Sequence, residues 1–146
     1  CLYWNTEPLI TALHNGLIPV VYGDVVTDTE LGGTIFSTED IFKALAEDIQ
    51  PARILLAGLE EGVWADYPAC TELLESINTT TFPDYQDGII GSAAVDVTGG
   101  MAAKVQEMLA LAANSPGLQV RIFSGTEDNS IYQALRGETL GTSITQ

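Results

Sequence analysis

The chain has 146 residues, 46% of them hydrophobic, a length at which one domain can bury a core of its own. Five basic residues stand against twenty acidic ones, for a net charge of −15; this excludes nucleic acid and anionic membrane surfaces as partners, since both demand clustered Lys and Arg. No apolar run approaches the roughly 18 residues of a membrane span, and the longest, GLIPVVYGDVV, is broken by Pro19, Gly23 and Asp24.

From the amino terminus, CLYWNTEPLI runs without a methionine into sequence of folded type, as expected of a truncated chain with no signal or transit segment. NTEPLITALHNG then predicts a helix, with Thr6 as N-cap, Pro8 in the first turn, Leu9, Ile10 and Leu13 on one face and Gly16 as the stop. LIPVVYGDV predicts a short strand buried on both faces, and VVTDTELGGTIF a hairpin. Ser37 or Thr38 caps a second helix, TEDIFKALAEDIQ, with Ile41, Phe42, Leu45 and Ile49 along one stripe.

ARILLAG is a further buried strand. Residues 60–95 are less regular, with a short helical piece expected near CTELLESI. A helix follows the TGG at 98–100, carrying Met101, Val105, Met108 and Leu109 at helical spacing. LQVRIFSG predicts a strand, DNSIYQALRG a short helix and GTSIT a terminal extended piece. Helices alternating with apolar strands indicate a single α/β domain over residues 1–146 with a mainly parallel sheet, and in such sheets ligands sit at the carboxyl ends of strands.

Several residues could carry chemistry there. Lys104 follows Gly99 and Gly100 just inside a helix, where backbone N–H groups and a cation together suit a phosphate; the same residues also describe a turn before an ordinary amphipathic helix. Gly23 and Asp24 end an apolar run, either as a ligand-facing rim or as a plain turn. Glu39 and Asp40 fall in a helix first turn, where carboxylates favour the macrodipole. Glu60 and Glu61 are rim carboxylates. His14, Trp4, Trp64 and Tyr67 read as capping or packing residues. Cys1 and Cys70 lack the spacing of a zinc site or a disulfide framework, so no metal centre is expected and a reducing, cytoplasmic setting fits.

Taken in order, GLIPVVYGDVVTDTELGGTIFSTED, RILLAGLEEGVWADYP, DVTGGMAAKVQEMLALA and VRIFSGTEDNSIYQALRGETLGTSI resemble the carboxyl-terminal part of the isopentenyl phosphate kinase family, within the amino acid kinase superfamily that also holds fosfomycin kinase. The resemblance implies a three-layer α/β/α sandwich around an open sheet. It also implies transfer of the ATP γ-phosphoryl group, with Mg²⁺, onto a small phosphate monoester. By position, Lys104 corresponds to a lysine that reaches the ATP phosphates, Gly99, Gly100 and Gly58 to nucleotide contacts, Gly23 and Asp24 to the acceptor side, and Glu39 to a carboxylate that organises the catalytic cations.

Two strings depart from the family pattern: STE stands where SGD is usual, and GLEEG where TDVDG is usual. The family's glycine-rich KxGGS loop and HGGGSxGH element have no counterpart. A fosfomycin-like or other small-acid acceptor, and a non-catalytic nucleotide sensor, therefore stay open beside the isopentenyl phosphate reading. A homodimer is compatible with each.

Overall fold

The computed structural model describes residues 4–89 and 100–146. The backbone divides into two compact units, Cys1–Pro51 and Ala52–Gln146. The first holds helix α1 (Glu7–His14), a hairpin of β1 (Asp24–Val26) and β2 (Thr34–Phe36), and helix α2 (Thr38–Ile49). Pro8 occupies the first turn of α1, and Gly16, at φ +73°, leaves the helix through a left-handed conformation that favours glycine. Thr6 precedes α1 but does not cap it with its side chain. Its buried hydroxyl donates instead to the Asp48 carboxylate of α2.

Ser37, not Thr38, caps α2. The Asp40 N–H donates to Ser37 Oγ (3.1 Å), while the Ser37 N–H (3.1 Å) and hydroxyl (2.7 Å) donate back to the Asp40 carboxylate. Two orphan donors of the first turn are thereby satisfied. Ile41 and Ala46 are buried on the inner face, with Phe42, Leu45 and Ile49 half-buried beside them. Trp4 meets Phe36 edge-on at 5.7 Å.

The strand expected over LIPVVYGDV is reduced to its last residues. Only Asp24–Val26 pairs, antiparallel to Thr34–Phe36, and residues 17–23 belong to no strand. A strand is held by ladder partners, and among the described residues none pairs with 17–23; Ile18 and Val20 are accordingly 90% and 87% exposed.

The second unit is built on a four-stranded sheet in the order β3 (Arg53–Gly58), β7 (Gln119–Ser124), β8 (Thr142–Ile144), β6 (Ser76–Ile77). β3–β7 and β6–β8 are parallel, and β7–β8 is antiparallel. A two-stranded antiparallel pair joins β4 (Val63–Trp64) to β5 (Leu73–Leu74). The helices are α3 (Phe82–Tyr85), α4 (Gly100–Asn114) and α5 (Ser130–Arg136). The mainly parallel α/β organisation expected from the sequence is therefore present, with β8 as its one antiparallel neighbour.

Helical spacing in α4 has its expected cause. Val105, Met108, Leu109, Leu111 and Ala112 are buried where α4 packs on β7 and β8, and Met101 is half-buried. CTELLESI, in contrast, is strand and not helix. Leu74 and Ile77 are buried, the Ala65 N–H donates to Glu72, and the N–H groups of Ser143 and Thr145 donate to Glu75 and Ile77. Ladder bonds from β4 and β8 override a locally helical composition.

All three arginines serve the second unit's own frame. Arg53 donates to the carbonyls of Ala134 and Leu135 at the end of α5 (3.2 and 3.1 Å), and Arg121 to that of Leu140 (2.8 Å). Arg136 lies over the Tyr132 ring at 5.8 Å.

The α2 cap has a pH signature. Partial burial raises the Asp40 pKa, but the Ser37 hydroxyl and N–H, with the Lys43 ammonium at 3.7 Å, outweigh it and hold the carboxyl below its ordinary value. A carboxylate depressed in the folded state contributes stability that is fully present above its unfolded pKa and lost as pH falls through the folded one. Asp40→Asn should therefore lower the thermal midpoint at neutral pH and make progressively less difference in acid; calorimetry of both proteins from about pH 7 to pH 3 checks this. Ser37→Ala should cost about 0.5–2 kcal/mol at neutral pH.

Candidate functional site

Two groups of residues singled out in the sequence are drawn together, one in each unit. In the first unit, Gly23 lies directly against the junction of β2 and α2. A Cβ at this position would stand 2.7 Å from the Phe36 carbonyl oxygen and 3.2 Å from the Thr38 nitrogen. Asp24 is paired with Phe36 in the hairpin register, and its Oδ1 accepts from the Val25 N–H at 2.7 Å. Gly23, Asp24 and the start of α2, with Glu39 in its first turn, thus form one corner.

Beside this corner runs a groove of about 490 Å³. Val21, Val26, Phe36 and Ile41 supply apolar walls, and Asp24 and Asp28 carboxylates. The N–H groups of Leu31 and Glu30 donate to Asp28 and hold its pKa below the ordinary value. Glu39 and Asp40, adjacent in sequence, differ in geometry: Asp40 closes the cap and Glu39 does not take part in it.

In the second unit, β3 and β7 run in register from Arg53↔Gln119 to Gly58↔Ser124, so that their carboxyl ends form one rim. Only residues 115–118 separate α4 from β7. Such a short connection turns the chain back, and α4 packs antiparallel to the strand that follows it. Fifteen helical residues span about 22 Å and six strand residues about 20 Å. The amino-terminal end of α4, with Gly100 and Lys104, therefore lies at the same end of the sheet as Gly58 and Ser124. Lys104 is half-buried in the second turn of α4, beside the fully buried Val105. Thr98 and Gly99 lie outside the described residues.

The glycines of these two places are there for different reasons. Gly23 is demanded by close backbone approach and Gly100 by its φ of +73°. Gly58 has neither reason among the described residues: a Cβ there would meet none of their atoms within 4 Å, and its φ is ordinary. The space that the described residues leave open sits at a strand carboxyl end, where ligands of parallel sheets reach the backbone.

The loop following Gly58 is firmly built. The Trp64 indole N–H donates to the Glu60 carboxylate at 3.2 Å. Asp66 accepts from the hydroxyl and N–H of Thr71 and from the N–H of Glu72, and the Thr71 hydroxyl leads in holding its pKa below the ordinary carboxylate value. Cys70 sits in this turn at φ +51°; partial burial, then the charges of Glu60 and Asp66, push its thiol pKa up, making it a poor nucleophile at neutral pH. Among the described residues no group of three His, Cys, Asp or Glu could hold a metal ion. No described helix is long and apolar enough to cross a membrane.

Residues 1–124 match the family model described as the amino acid kinase family. The isopentenyl phosphate kinase of Haloferax volcanii is 38% identical over 135 residues, 92% of this chain and 49% of that protein. That of Methanocaldococcus jannaschii is 32% identical over 143 residues, 98% of this chain and 52% of its own length. A crystal structure of an isopentenyl phosphate kinase superposes with a TM-score of 0.75 at 28% identity, covering 98% of this chain and 52% of that one. The chain spans about half the length of the curated relatives it matches.

The glycine geometries make opposite predictions for one substitution. Gly23→Ala should destabilise the protein by about 1–3 kcal/mol, because the new methyl presses on backbone atoms. Gly58→Ala should leave stability unchanged or raise it by up to about 1 kcal/mol, by restricting the unfolded chain. Urea unfolding followed by intrinsic fluorescence, with Trp4 in the first unit and Trp64 in the second, measures both.

Proposed function

This chain belongs to the amino acid kinase family, and we propose that it supplies the nucleotide-binding part of an ATP-dependent kinase acting on isopentenyl phosphate. The observation that carries this reading is the side of Gly58 that the described residues leave open, on a rim shared with Gly100 and Lys104. Such a rim admits a polyphosphate to within reach of backbone N–H groups and one cation. In the proposed reaction an acceptor phosphate oxygen attacks the γ-phosphorus of ATP, the bond from that phosphorus to the β–γ bridging oxygen breaks, and a diphosphate and ADP result. Transfer of this kind depends on positioning and charge neutralisation more than on covalent help from the protein.

Lys104 is assigned to the ATP phosphates, with Gly58, Gly99 and Gly100 as backbone contacts. Gly23 and Asp24 are assigned to the acceptor side, where the apolar groove suits a short branched hydrocarbon. Mg²⁺ is assigned as a companion of the nucleotide: it commonly takes one or two carboxylates and several phosphate oxygens, so it does not require the three-ligand protein cage that is absent among the described residues. Its chemistry there would be to neutralise phosphate charge. Glu39 is assigned to orienting cations. A phosphate monoester acceptor needs no base beyond its own second ionisation near about pH 6.

Residues 1–146 offer one lysine to the transferred group, and phosphoryl transfer calls for more than one clamp. The chain by itself should therefore bind ATP weakly and not turn over. Fused behind the amino-terminal half of the Haloferax volcanii relative, it should form ADP from ATP and isopentenyl phosphate. Lys104→Ala in that fusion should lower kcat by about 10²–10³. Glu39→Gln should lower kcat without moving the acidic limb of the pH–rate profile. Turnover by residues 1–146 alone, or full activity of the Lys104→Ala fusion, would remove this assignment; transfer to fosfomycin in place of isopentenyl phosphate would redirect the acceptor.

A further inference from the structure

The rim loop after β3 is tied at both ends, and its second tie comes from the far end of the chain. At its start the Gly125 N–H donates to the Gly58 carbonyl at 2.8 Å, continuing the β3–β7 ladder by one bond. At its end the Val63 N–H donates to the Thr142 hydroxyl at 2.8 Å, and that hydroxyl donates to the Leu74 carbonyl at 2.6 Å. One oxygen on β8 therefore fixes β4 and β5 together. Thr142 and Val63 are both 0% exposed, so no water substitutes for either bond.

The neighbouring backbone is packed to match. A Cβ on Gly62 would fall 2.7 Å from the Thr142 hydroxyl oxygen, and one on Gly141 would fall 2.6 Å from the Glu61 carbonyl and 2.1 Å from that of Ile122. Gly141 and Thr142 are thus seated directly on residues 61–63. Between the two ties only Leu59 to Gly62 remain, with Leu59 68% exposed at the tip.

We infer that Thr142 is a positioning residue for the nucleotide rim: its hydroxyl sets the path of residues 59–63 and so holds the Gly58 backbone open to the ligand. This rests on the nucleotide reading above. Thr142 touches no substrate; it acts through Val63. A threonine suits the task because it offers one acceptor and one donor while its methyl fills apolar space between strands. Valine keeps the volume and removes both bonds, leaving the Val63 N–H and Leu74 carbonyl buried without partners.

Hydrogen exchange of the fusion to the amino-terminal half of the Haloferax volcanii relative, with and without millimolar Mg²⁺–ATP, separates positioning from general stability. In Thr142→Val, amides 59–64 should exchange about tenfold faster, as loss of one hydrogen bond gives, while those of β3 and α4 keep their protection. Thr142→Ser should restore the wild-type pattern. ATP should slow exchange at 58–62 in the wild type and less so in Thr142→Val. Unchanged exchange at 59–64, or a uniform rise through the second unit, overturns the positioning role. No ATP protection in the wild type, together with local loosening in Thr142→Val, overturns the nucleotide reading and leaves Thr142 a determinant of loop geometry alone. If Thr142→Val does not fold, Gly62→Ala, whose methyl presses on the same oxygen, should give the same local loosening, and its failure to do so counts against the inference.

Discussion

The in-register parallel pairing of β3 with β7 is the constraint on which the second unit depends. Six residue pairs, from Arg53↔Gln119 to Gly58↔Ser124, are extended by a backbone bond at each end, from Gln119 to Ala52 and from Gly125 to Gly58. A slip of one residue would exchange the faces of β7 and expel Val120 and Ile122 from the core, where they are 1% and 3% exposed. Because α4 must return antiparallel before β7 begins, the same register sets where Lys104 arrives relative to Gly58. A strand pairing made for packing thereby puts Lys104 and the Gly58 backbone at one end of the sheet.

Much of this was legible in the sequence, for local reasons. The Ser37–Asp40 cap, the Gly16 stop, the stripe of α4 and the apolar runs of β3 and β7 are short-range signals, each with its cause within a few residues. Two expectations failed because their cause is not local. CTELLESI has a helical composition, yet its backbone groups are claimed by β4 and β8, the latter about seventy residues away. LIPVVYGDV has the composition of a buried strand, but composition cannot supply ladder partners, and among the described residues only Asp24–Val26 finds one.

The candidate site divides along the same line. That glycines mattered at 23, 58 and 100 was visible; that they matter for three different reasons was not, since steric approach, backbone handedness and vacancy leave the same letter. Glu39 and Asp40 likewise look equivalent as a first-turn pair, and geometry alone gives the cap to Asp40. Thr142 was missed altogether. The one hint, a glycine before it in LGTSI, marks a tight backbone approach but cannot say to what. The first unit buries Ile41 and Ala46 as its apolar core while Leu17, Ile18, Val20 and Tyr22 stay exposed, so its geometry rests on caps and a hairpin more than on packing.

The engagement of all three arginines with carbonyls and a ring of the second unit bears on how an anion would arrive. With twenty carboxylates against five basic residues, the far field of this protein is repulsive to a nucleotide. Attraction begins only at close range, within the roughly 8 Å over which charges are felt at physiological ionic strength. Added salt should then quicken the encounter by screening the repulsion, while weakening the grip once contact is made. This is the reverse of the steering that a basic cleft provides, and it leaves selectivity to the last few ångströms of approach.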